Sequence, residues 1–336
     1  MEGPFDPVGR CIYCDAKRYS ETRDQFGTEH IIPEGLGGRI LLPAASCFLC
    51  EQKTNEFENF CQTEMLRAFR YKLGIKGKRR KTKRVTSLPI EFLINGEWTA
   101  QNVPLAHYPL TLLIPTFPLP DILRLEPVEK STVLQFSVIN MWDEQANAAL
   151  TRRFGAKDIR FVSGNTQIRQ FVRMLAKIAY SYAVAKRGFG GFRQLVLPII
   201  EGDLSFAHLL IGCTAKIPDA KTRHSLDLQS EIHNGRNYWV VRIRMFADLG
   251  WPEYICVVGF HLDESDTAQL PEFSSVRPWR IPRSEMALHD KGLMPQRPAP
   301  QTFIHPTKTD ADAAPLNFQI GFGQFNGPPV QPPPKA

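Results

Sequence analysis

The sequence predicts an α+β fold with three parts: a small N-terminal unit of two strands and a helix, a larger α+β domain, and a proline-rich tail. Two Cys-x-x-Cys pairs enclose the N-terminal unit, an Asn95-Gly96 turn lies between residues 88–94 and 97–103, and residues 167–186 carry one long apolar stripe. Asn-Gly supplies the positive φ angles of a two-residue hairpin turn, and the stripe is typical of an amphipathic helix. A chain of 336 residues exceeds one typical domain, so more than one folded unit is expected.

The N-terminal unit is bounded by four cysteines. Cys11 and Cys14 form the first pair, and Cys47 and Cys50 form the second. Each Cys-x-x-Cys knuckle presents two sulfur atoms to one ion, so the two pairs together predict a tetrahedral zinc site. Four of the seven cysteines stand in such pairs, which favours metal binding in a reducing compartment over a disulfide framework. The remaining cysteines lack this spacing and are expected to be buried as small apolar residues: Cys61, Cys213 and Cys256.

Local patterns predict two strands and a helix in this unit. Residues 28–32 and 39–42 are predicted strands, and residues 34–38 form the glycine-rich turn between them. A helix is predicted over residues 50–73. Its apolar residues recur at three- and four-residue spacing: Phe57, Phe60, Cys61 and Met65. The order of elements is therefore strand, turn, strand and helix, with a metal site holding both ends of the hairpin.

A histidine and an acidic residue stand side by side in the first strand. The segment reads Glu29-His30-Ile31-Ile32-Pro33 and is followed by Gly37-Gly38. Together with the flanking cysteine pairs, this pattern resembles the zinc-stapled HNH (ββα-metal) endonucleases, in the variant that has Glu-His in place of Asp-His. The resemblance covers roughly residues 11 to 60 and extends through further matching positions: Leu42-Pro43, Ala45-Ser46-Cys47, Cys50, Thr54 and Phe57-Glu58. It implies a ββα-metal fold for the N-terminal unit.

The resemblance also implies one-metal hydrolysis of phosphodiester bonds. His30 is expected to be the general base, because imidazole titrates near neutral pH and can take a proton from water. Glu29 is expected to hold a divalent ion that acts as a Lewis acid and whose bound water protonates the departing 3′ oxygen. Oxygen ligands favour Mg²⁺ or Mn²⁺ there, whereas four thiolates favour Zn²⁺. Two different metals are therefore predicted, a structural zinc and a catalytic Mg²⁺ or Mn²⁺.

The second ligand of the divalent ion remains open among three residues. The family usually draws it from the helix that begins at the second cysteine pair, and this helix offers Glu51, Asn55 and Glu58. Glu51 and Asn55 share a helix face by their i, i+4 spacing. Glu58 lies within the matched Phe57-Glu58 dipeptide. Any of the three could complete the site together with Glu29.

One departure from the family concerns the orientation of His30. Many HNH enzymes have an asparagine just before the second cysteine pair that fixes the catalytic histidine, and residues 40–46 contain none. A backbone carbonyl or Ser46 could hold His30 instead. The loss also agrees with an alternative function, a catalytically degenerate zinc-stapled protein that binds nucleic acid without cutting it. A further alternative is an adaptor, in which zinc only folds a small unit and the larger domain binds protein.

A basic segment follows the N-terminal unit. Ten cations and no acid lie between Glu64 and Glu91. Such a local positive field attracts a polyanion, which beside a nuclease-like unit indicates DNA, or RNA, as the partner. The residues expected to contact phosphates lie in the linker assigned to residues 67–87: Lys78, Arg79, Arg80, Lys81, Lys83 and Arg84.

The larger domain, residues 88–264, carries no motif that assigns a chemistry, and its type and role are not predicted. Strands are expected at residues 88–94, 97–103, 238–246 and 254–260, and the long helix at residues 167–186. Residues 254–260 are mostly apolar, which is typical of a buried strand. Four histidines on or beside the predicted strands have no spacing typical of ligands and are expected to be ordinary surface or core residues: His208, His224, His233 and His261.

The tail and the chain ends complete the expected organisation. Residues 265–336 are predicted to be disordered, since residues 295–336 alone hold ten prolines, and such a tail could recruit a protein partner. The chain is thus divided into an HNH nuclease module at 1–66, the linker, the larger domain and the tail.

No signal peptide and no apolar run near the ~20 residues that span a bilayer are present, so a soluble, cytoplasmic protein is expected. Because a lone HNH centre cuts one strand, double-strand cleavage would indicate a homodimer.

Overall fold

The structure is a computed structural model, and it describes residues 4–75, 85–124, 135–141, 144–160, 166–214 and 222–262. Within these ranges helices and sheets are mixed, so the predicted α+β class is confirmed. The predicted phosphate-binding residues between Lys78 and Arg84 and the predicted disordered tail at 265–336 lie outside the described residues. No helix in the described part of the chain is long and apolar enough to cross a lipid bilayer.

The N-terminal unit has the predicted order of two strands and a helix. Strand β1 (Gly27–His30) pairs antiparallel with β2 (Leu41–Ser46), and a 3-10 turn (Glu34–Leu36) lies between them. Helix α1 (Phe48–Phe60) follows, continues through a π-helical segment (Cys61–Met65) and leads into α2 (Arg67–Lys72).

Two predicted boundaries in this unit differ from the structure. The second strand lies at residues 41–46, later than the predicted 39–42. It continues through Pro43 because its carbonyl groups accept hydrogen bonds from the N-terminal segment, with Val8 N donating to Pro43 O at 3.0 Å. The helix predicted as continuous over residues 50–73 is broken at Leu66, where the backbone leaves helical geometry (φ −112°, ψ 10°). Apolar spacing alone does not detect the extra residue that a π-helical turn accommodates.

The rest of the described chain adds short strands and helices around one long helix. The strands are β3 (Ser87–Ile94), β4 (Glu97–Pro104), β5 (Thr111–Thr116), β6 (Gln135–Asn140), β7 (Asp158–Arg160), β8 (Arg193–Gln194), β9 (Ile211–Cys213), β10 (His224–His233), β11 (Arg236–Met245) and β12 (Glu253–Phe260). The helices are α3 (Glu144–Phe154), α4 (Ile168–Arg187), α5 (Leu197–Glu201) and α6 (Ala207–Leu210), with 3-10 turns at Asp121–Leu123 and Ala247–Leu249.

These strands form antiparallel sheets. The largest has the order β10-β11-β12-β8, with β9 also paired to β12, and smaller sheets are formed by β4-β3-β7 and by β5-β6. The hairpin predicted at Asn95-Gly96 is confirmed, since both residues have positive φ, 51° and 89°. Strand β12 is buried at every residue, which confirms the expectation from its apolar sequence.

Helix α4 lies at the centre of the molecule. It was predicted over residues 167–186 and is observed one residue later, with Gly188 as its C-cap. All residues from Phe171 to Val184 are buried, which is typical of a helix covered on every side. One side packs on the large sheet, where the rings of Phe171 and Tyr254 lie 5.3 Å apart, and another packs on α1. The N-terminal unit and the larger domain therefore share one continuous core.

A second junction between the two parts is aromatic. Phe69 of α2 lies 4.8 Å from the ring of Phe246 and 5.6 Å from that of Trp251. All three side chains are fully buried. Rings at this separation add edge and offset attraction to the burial of a large apolar area. This contact fixes the end of the N-terminal helix against the large sheet.

Candidate functional site

The four paired cysteines come together as predicted. Their sulfur atoms all lie within 4.8 Å of one another, and the Sγ atoms of Cys14 and Cys47 are 3.6 Å apart. Tetrahedral zinc with Zn–S bonds of about 2.3 Å requires sulfur atoms about 3.8 Å apart, so the cluster has the dimensions of a zinc site. Of the four, Cys14 is exposed and the other three are buried. The cluster can therefore bind a structural zinc.

The fold holds both knuckles in place around the cluster. Cys47 precedes the first turn of α1 and Cys50 lies within it. In the other knuckle, Ile12 N donates to Ala45 O of β2 at 2.8 Å, and Tyr180 of α4 donates to Ile12 O at 2.7 Å. The pKa of Cys11 lies below its usual range because its sulfur accepts hydrogen bonds, first from the Cys50 thiol and then from backbone amides. A thiolate is the form that binds zinc.

The other three cysteines behave as predicted from their spacing. All three are buried, and burial raises the pKa of each thiol: Cys61, Cys213 and Cys256. The cysteines of the described chain are unpaired thiols.

A buried lysine joins the predicted metal-binding carboxylates. Lys177 of α4 forms ion pairs with Glu29 of β1 and with Glu58 of α1, the latter at 2.6 Å between Nζ and Oε1. The Lys177 side chain is 0% exposed, and those of Glu29 and Glu58 are 7% and 10% exposed. Its ammonium also donates to the carbonyl oxygen of His30. A carboxylate from a strand, a carboxylate from a helix and a cation from a second helix thus meet inside the protein.

The electrostatics of this cluster are dominated by the two acids. Two ionised carboxylates and one ammonium carry a net charge of −1. Burial lowers the pKa of Lys177, but the carboxylates of Glu29 and Glu58 outweigh it, so the pKa lies above its usual value of 10.5. Burial raises the pKa of Tyr13 well above 10.0, and the same two carboxylates raise it further. Tyr13 therefore stays protonated beside a negatively charged group.

His30 lies at the end of β1 and faces a different environment from Glu29. Its side chain is 26% exposed, whereas Glu29 is buried, because successive side chains of a strand point to opposite faces. The imidazole Nε2 is 3.9 Å from a carboxylate oxygen of Glu34 in the 3-10 turn. Ser46, one expected partner, pairs with Gly27 at the opposite end of the hairpin, while His30 pairs with Leu41. Glu34 therefore has a side chain next to the imidazole, whereas Ser46 lies at the other end of the hairpin.

Residues far along the chain fix the turn that carries Glu34. Arg70 of α2 donates to Gly35 O and, at 2.9 Å, to Gln62 O. His224 Nε2 lies 3.0 Å from Leu36 O. This contact with a backbone carbonyl agrees with the expectation that His224 is an ordinary histidine. It also places His224 at the edge of the candidate site.

The three alternative metal ligands occupy different surroundings. Glu58 meets Glu29 at the ammonium of Lys177. Glu51 instead accepts a hydrogen bond from Tyr19 at 2.9 Å, and Asn55 is exposed on α1. The structure therefore brings Glu58, and neither of the other two, to the Glu29 carboxylate.

Sequence reasoning missed Lys177. A signal was present, because Arg173, Lys177 and Ser181 recur every four residues along a helix whose other residues are mostly apolar. A charged residue on a helix covered on all sides requires a buried partner of opposite charge. The partner could not be chosen from sequence, since His30 and Lys177 are 147 residues apart.

Two cations counted in the basic segment have internal partners. Arg70 binds backbone carbonyls and is 7% exposed, and Lys72 donates to Tyr108 O at 2.5 Å. Neither is positioned to bind phosphate, in contrast to the exposed Arg67. The predicted phosphate contacts Lys78, Arg79, Arg80, Lys81, Lys83 and Arg84 lie outside the described residues and stay predictions.

Comparisons with known proteins add no further assignment. The described residues give a zinc-compatible cysteine cluster beside a buried carboxylate pair and a partly exposed histidine. No family model, no curated protein and no solved structure matches the chain.

Proposed function

We propose that this chain is a divalent-metal-dependent endonuclease of the HNH type, which hydrolyses phosphodiester bonds in DNA with His30 as general base. The observation that carries the proposal is the convergence of Glu29 from β1 and Glu58 from α1, with the partly exposed His30 next to Glu29 on the same strand. A zinc-compatible cluster lies in the same hairpin–helix unit. A metal-binding acidic pair and a histidine are the groups that one-metal phosphodiester hydrolysis needs.

The chemistry is distributed over four residues. His30 is partly exposed, so water and a phosphate group can reach its imidazole, which takes the proton of the attacking water. Glu34, 3.9 Å away, stabilises the imidazolium that results. Glu29 and Glu58 would hold the Mg²⁺ or Mn²⁺ ion, which supplies Lewis-acid stabilisation of the phosphate when it is bound.

A second candidate function is nucleic-acid binding without cleavage. One observation favours it: the Lys177 ammonium lies between the two carboxylates that would hold the ion. A site closed in this way retains the zinc-stapled fold and the basic segment but lacks the metal that hydrolysis needs. The two candidates share DNA as their partner and differ in whether His30 has a chemical role.

Nicking of supercoiled plasmid by the purified full chain distinguishes the candidates. We expect nicking that requires added Mg²⁺ or Mn²⁺ and that falls at least about 100-fold in His30→Ala, since a general base contributes about 10²–10⁴-fold. His107→Ala is the matched control, because His107 is exposed and lies outside the site. DNA binding, measured by fluorescence anisotropy, should be equal in all three proteins.

The remaining outcomes each assign a function. DNA binding by the wild type and His30→Ala, with no nicking by either, would replace the nuclease by the second candidate. If about six cations contact phosphates, affinity should fall about 10³-fold between 50 and 200 mM salt. Absence of DNA binding even at low salt would leave the adaptor function and contradict both candidates. Zinc content should stay at about one ion per chain in every variant.

A further inference from the structure

We propose that Lys177 is a positioning residue that competes with divalent cations for the carboxylates of Glu29 and Glu58, so that this pair takes such an ion only weakly. The inference rests on the carboxylate pair of the proposed nuclease site. It assigns a role to a residue that lies outside the resemblance to HNH enzymes, in the helix at the centre of the larger domain. The role acts through Glu29 and Glu58, since Lys177 is 0% exposed and cannot touch a substrate.

The contacts of the ammonium account for all of its donors. An ammonium group has three N–H donors and no acceptor. Those of Lys177 are directed to Glu29, to Glu58 and to the carbonyl oxygen of His30, with Ile31 O at 3.5 Å. The cation therefore occupies the position between the two carboxylates, which is the position that a shared metal ion would need.

An ion bound to both carboxylates would experience repulsion from this ammonium. Mg²⁺ and Mn²⁺ bind carboxylate oxygen at about 2.0–2.2 Å, which brings an ion shared by the pair to within about 4 Å of Lys177 Nζ. A unit charge and a divalent ion about 4 Å apart repel enough to weaken binding about 30-fold even at the dielectric constant of water. The cluster is buried, so screening is weaker there than in water and the penalty is larger.

Another buried cation on the same helix provides a comparison. Arg173 lies one turn earlier and is 8% exposed. Its guanidinium donates to Ile200 O at 2.9 Å and to Gln170, and it stacks over the ring of Phe57 at 4.5 Å. Arg173 thus contributes a buried charge and packing without an ion pair to the carboxylates. Replacing it separates the loss of a buried cation from the loss of this particular contact.

Binding of Mn²⁺ to the zinc-loaded full chain, measured by electron paramagnetic resonance, tests the inference. We expect Lys177→Met to bind one Mn²⁺ at least about 30-fold more tightly than the wild type, because the competing charge is gone. Arg173→Met should bind Mn²⁺ as the wild type does. Adding Glu58→Gln to Lys177→Met should remove the gain, which assigns the new affinity to the carboxylate pair. A merely structural lysine would give no gain in affinity.

Two results would overturn the inference. One is a folded Lys177→Met protein whose Mn²⁺ affinity equals that of the wild type. The other result needs no lysine variant. It is a wild-type chain that binds Mn²⁺ with a Kd below about 0.1 mM, which is tighter than the weakest class of protein Ca²⁺ sites, and that loses this binding in Glu58→Gln. This second measurement remains decisive if Lys177→Met does not fold.

Failure of this inference and failure of the proposed function are distinguishable. A gain of Mn²⁺ affinity in Lys177→Met without nicking by any variant would keep the inference and contradict the nuclease. Nicking that depends on His30, together with unchanged Mn²⁺ affinity in Lys177→Met, would keep the nuclease and contradict the inference.

Discussion

Replacement of Arg70 by methionine should destabilise the turn beside His30 and lower the stability of the whole chain. The Arg70 guanidinium donates to Gly35 O in the turn and to Gln62 O, and the residue is 7% exposed. Each buried carbonyl left without its donor costs about 1–3 kcal/mol. The variant no longer buries a charge, which offsets part of this loss. We therefore expect the free energy of unfolding to fall by about 2–4 kcal/mol.

Urea denaturation followed by tryptophan fluorescence measures this change. Trp251 is fully buried and packs on Phe69, the neighbour of Arg70, so its emission reports unfolding at this junction. Arg67→Met is the matched control, since Arg67 lies on the same helix but is exposed, and an exposed substitution changes stability by less than about 0.5 kcal/mol. Equal stability of the two variants would refute the assignment of Arg70 as the residue that holds the turn.

Three further outcomes are expected. Cys14→Ser should lose bound zinc, measured by elemental analysis, whereas Cys61→Ser should keep it because Cys61 lies outside the cluster; equal zinc in both would contradict the four-cysteine site. Burial lowers the pKa of His224 below 6.5, so the unfolded chain takes up its proton first, and the stability present above pH 6.5 is lost as the pH falls. His224→Gln should reduce this slope in urea titrations between pH 7 and 5, and an unchanged slope would assign the effect elsewhere. Gly38→Ala should destabilise by about 1–3 kcal/mol or more in the same titrations, because its Cβ would lie 2.0 Å from Ile32 O; wild-type stability would show that the turn can shift.

The features predicted correctly from sequence are those that depend on near neighbours in the chain. The spacing of Cys11 and Cys14 and of Cys47 and Cys50 fixes two knuckles, and closing the hairpin between them brings the knuckles together. The Asn95-Gly96 turn and the apolar stripe of α4 are likewise local signals. Such patterns predict which residues face a core, but they do not predict which residues from other elements pack against them.

The parts that sequence did not predict depend on partners chosen by the tertiary fold. Three candidates for the second metal ligand were open because all lie on one helix, and the packing of α4 decided which of them meets Glu29. The same packing placed Lys177 in the cluster. Glu34 replaced Ser46 as the neighbour of His30 because the pairing of β1 and β2 puts Ser46 at the far end of the hairpin.

The distance along the chain between the carboxylates and their lysine has a consequence during synthesis. Glu29 and Glu58 belong to the first 75 residues, and about 100 residues separate the end of that unit from Lys177. Ribosomes add about 5–20 residues per second, so both acidic residues have been made about 5–20 seconds before the lysine that joins them. A nascent chain therefore carries both carboxylates before it carries the cation that compensates them, and only a longer polypeptide supplies that cation itself.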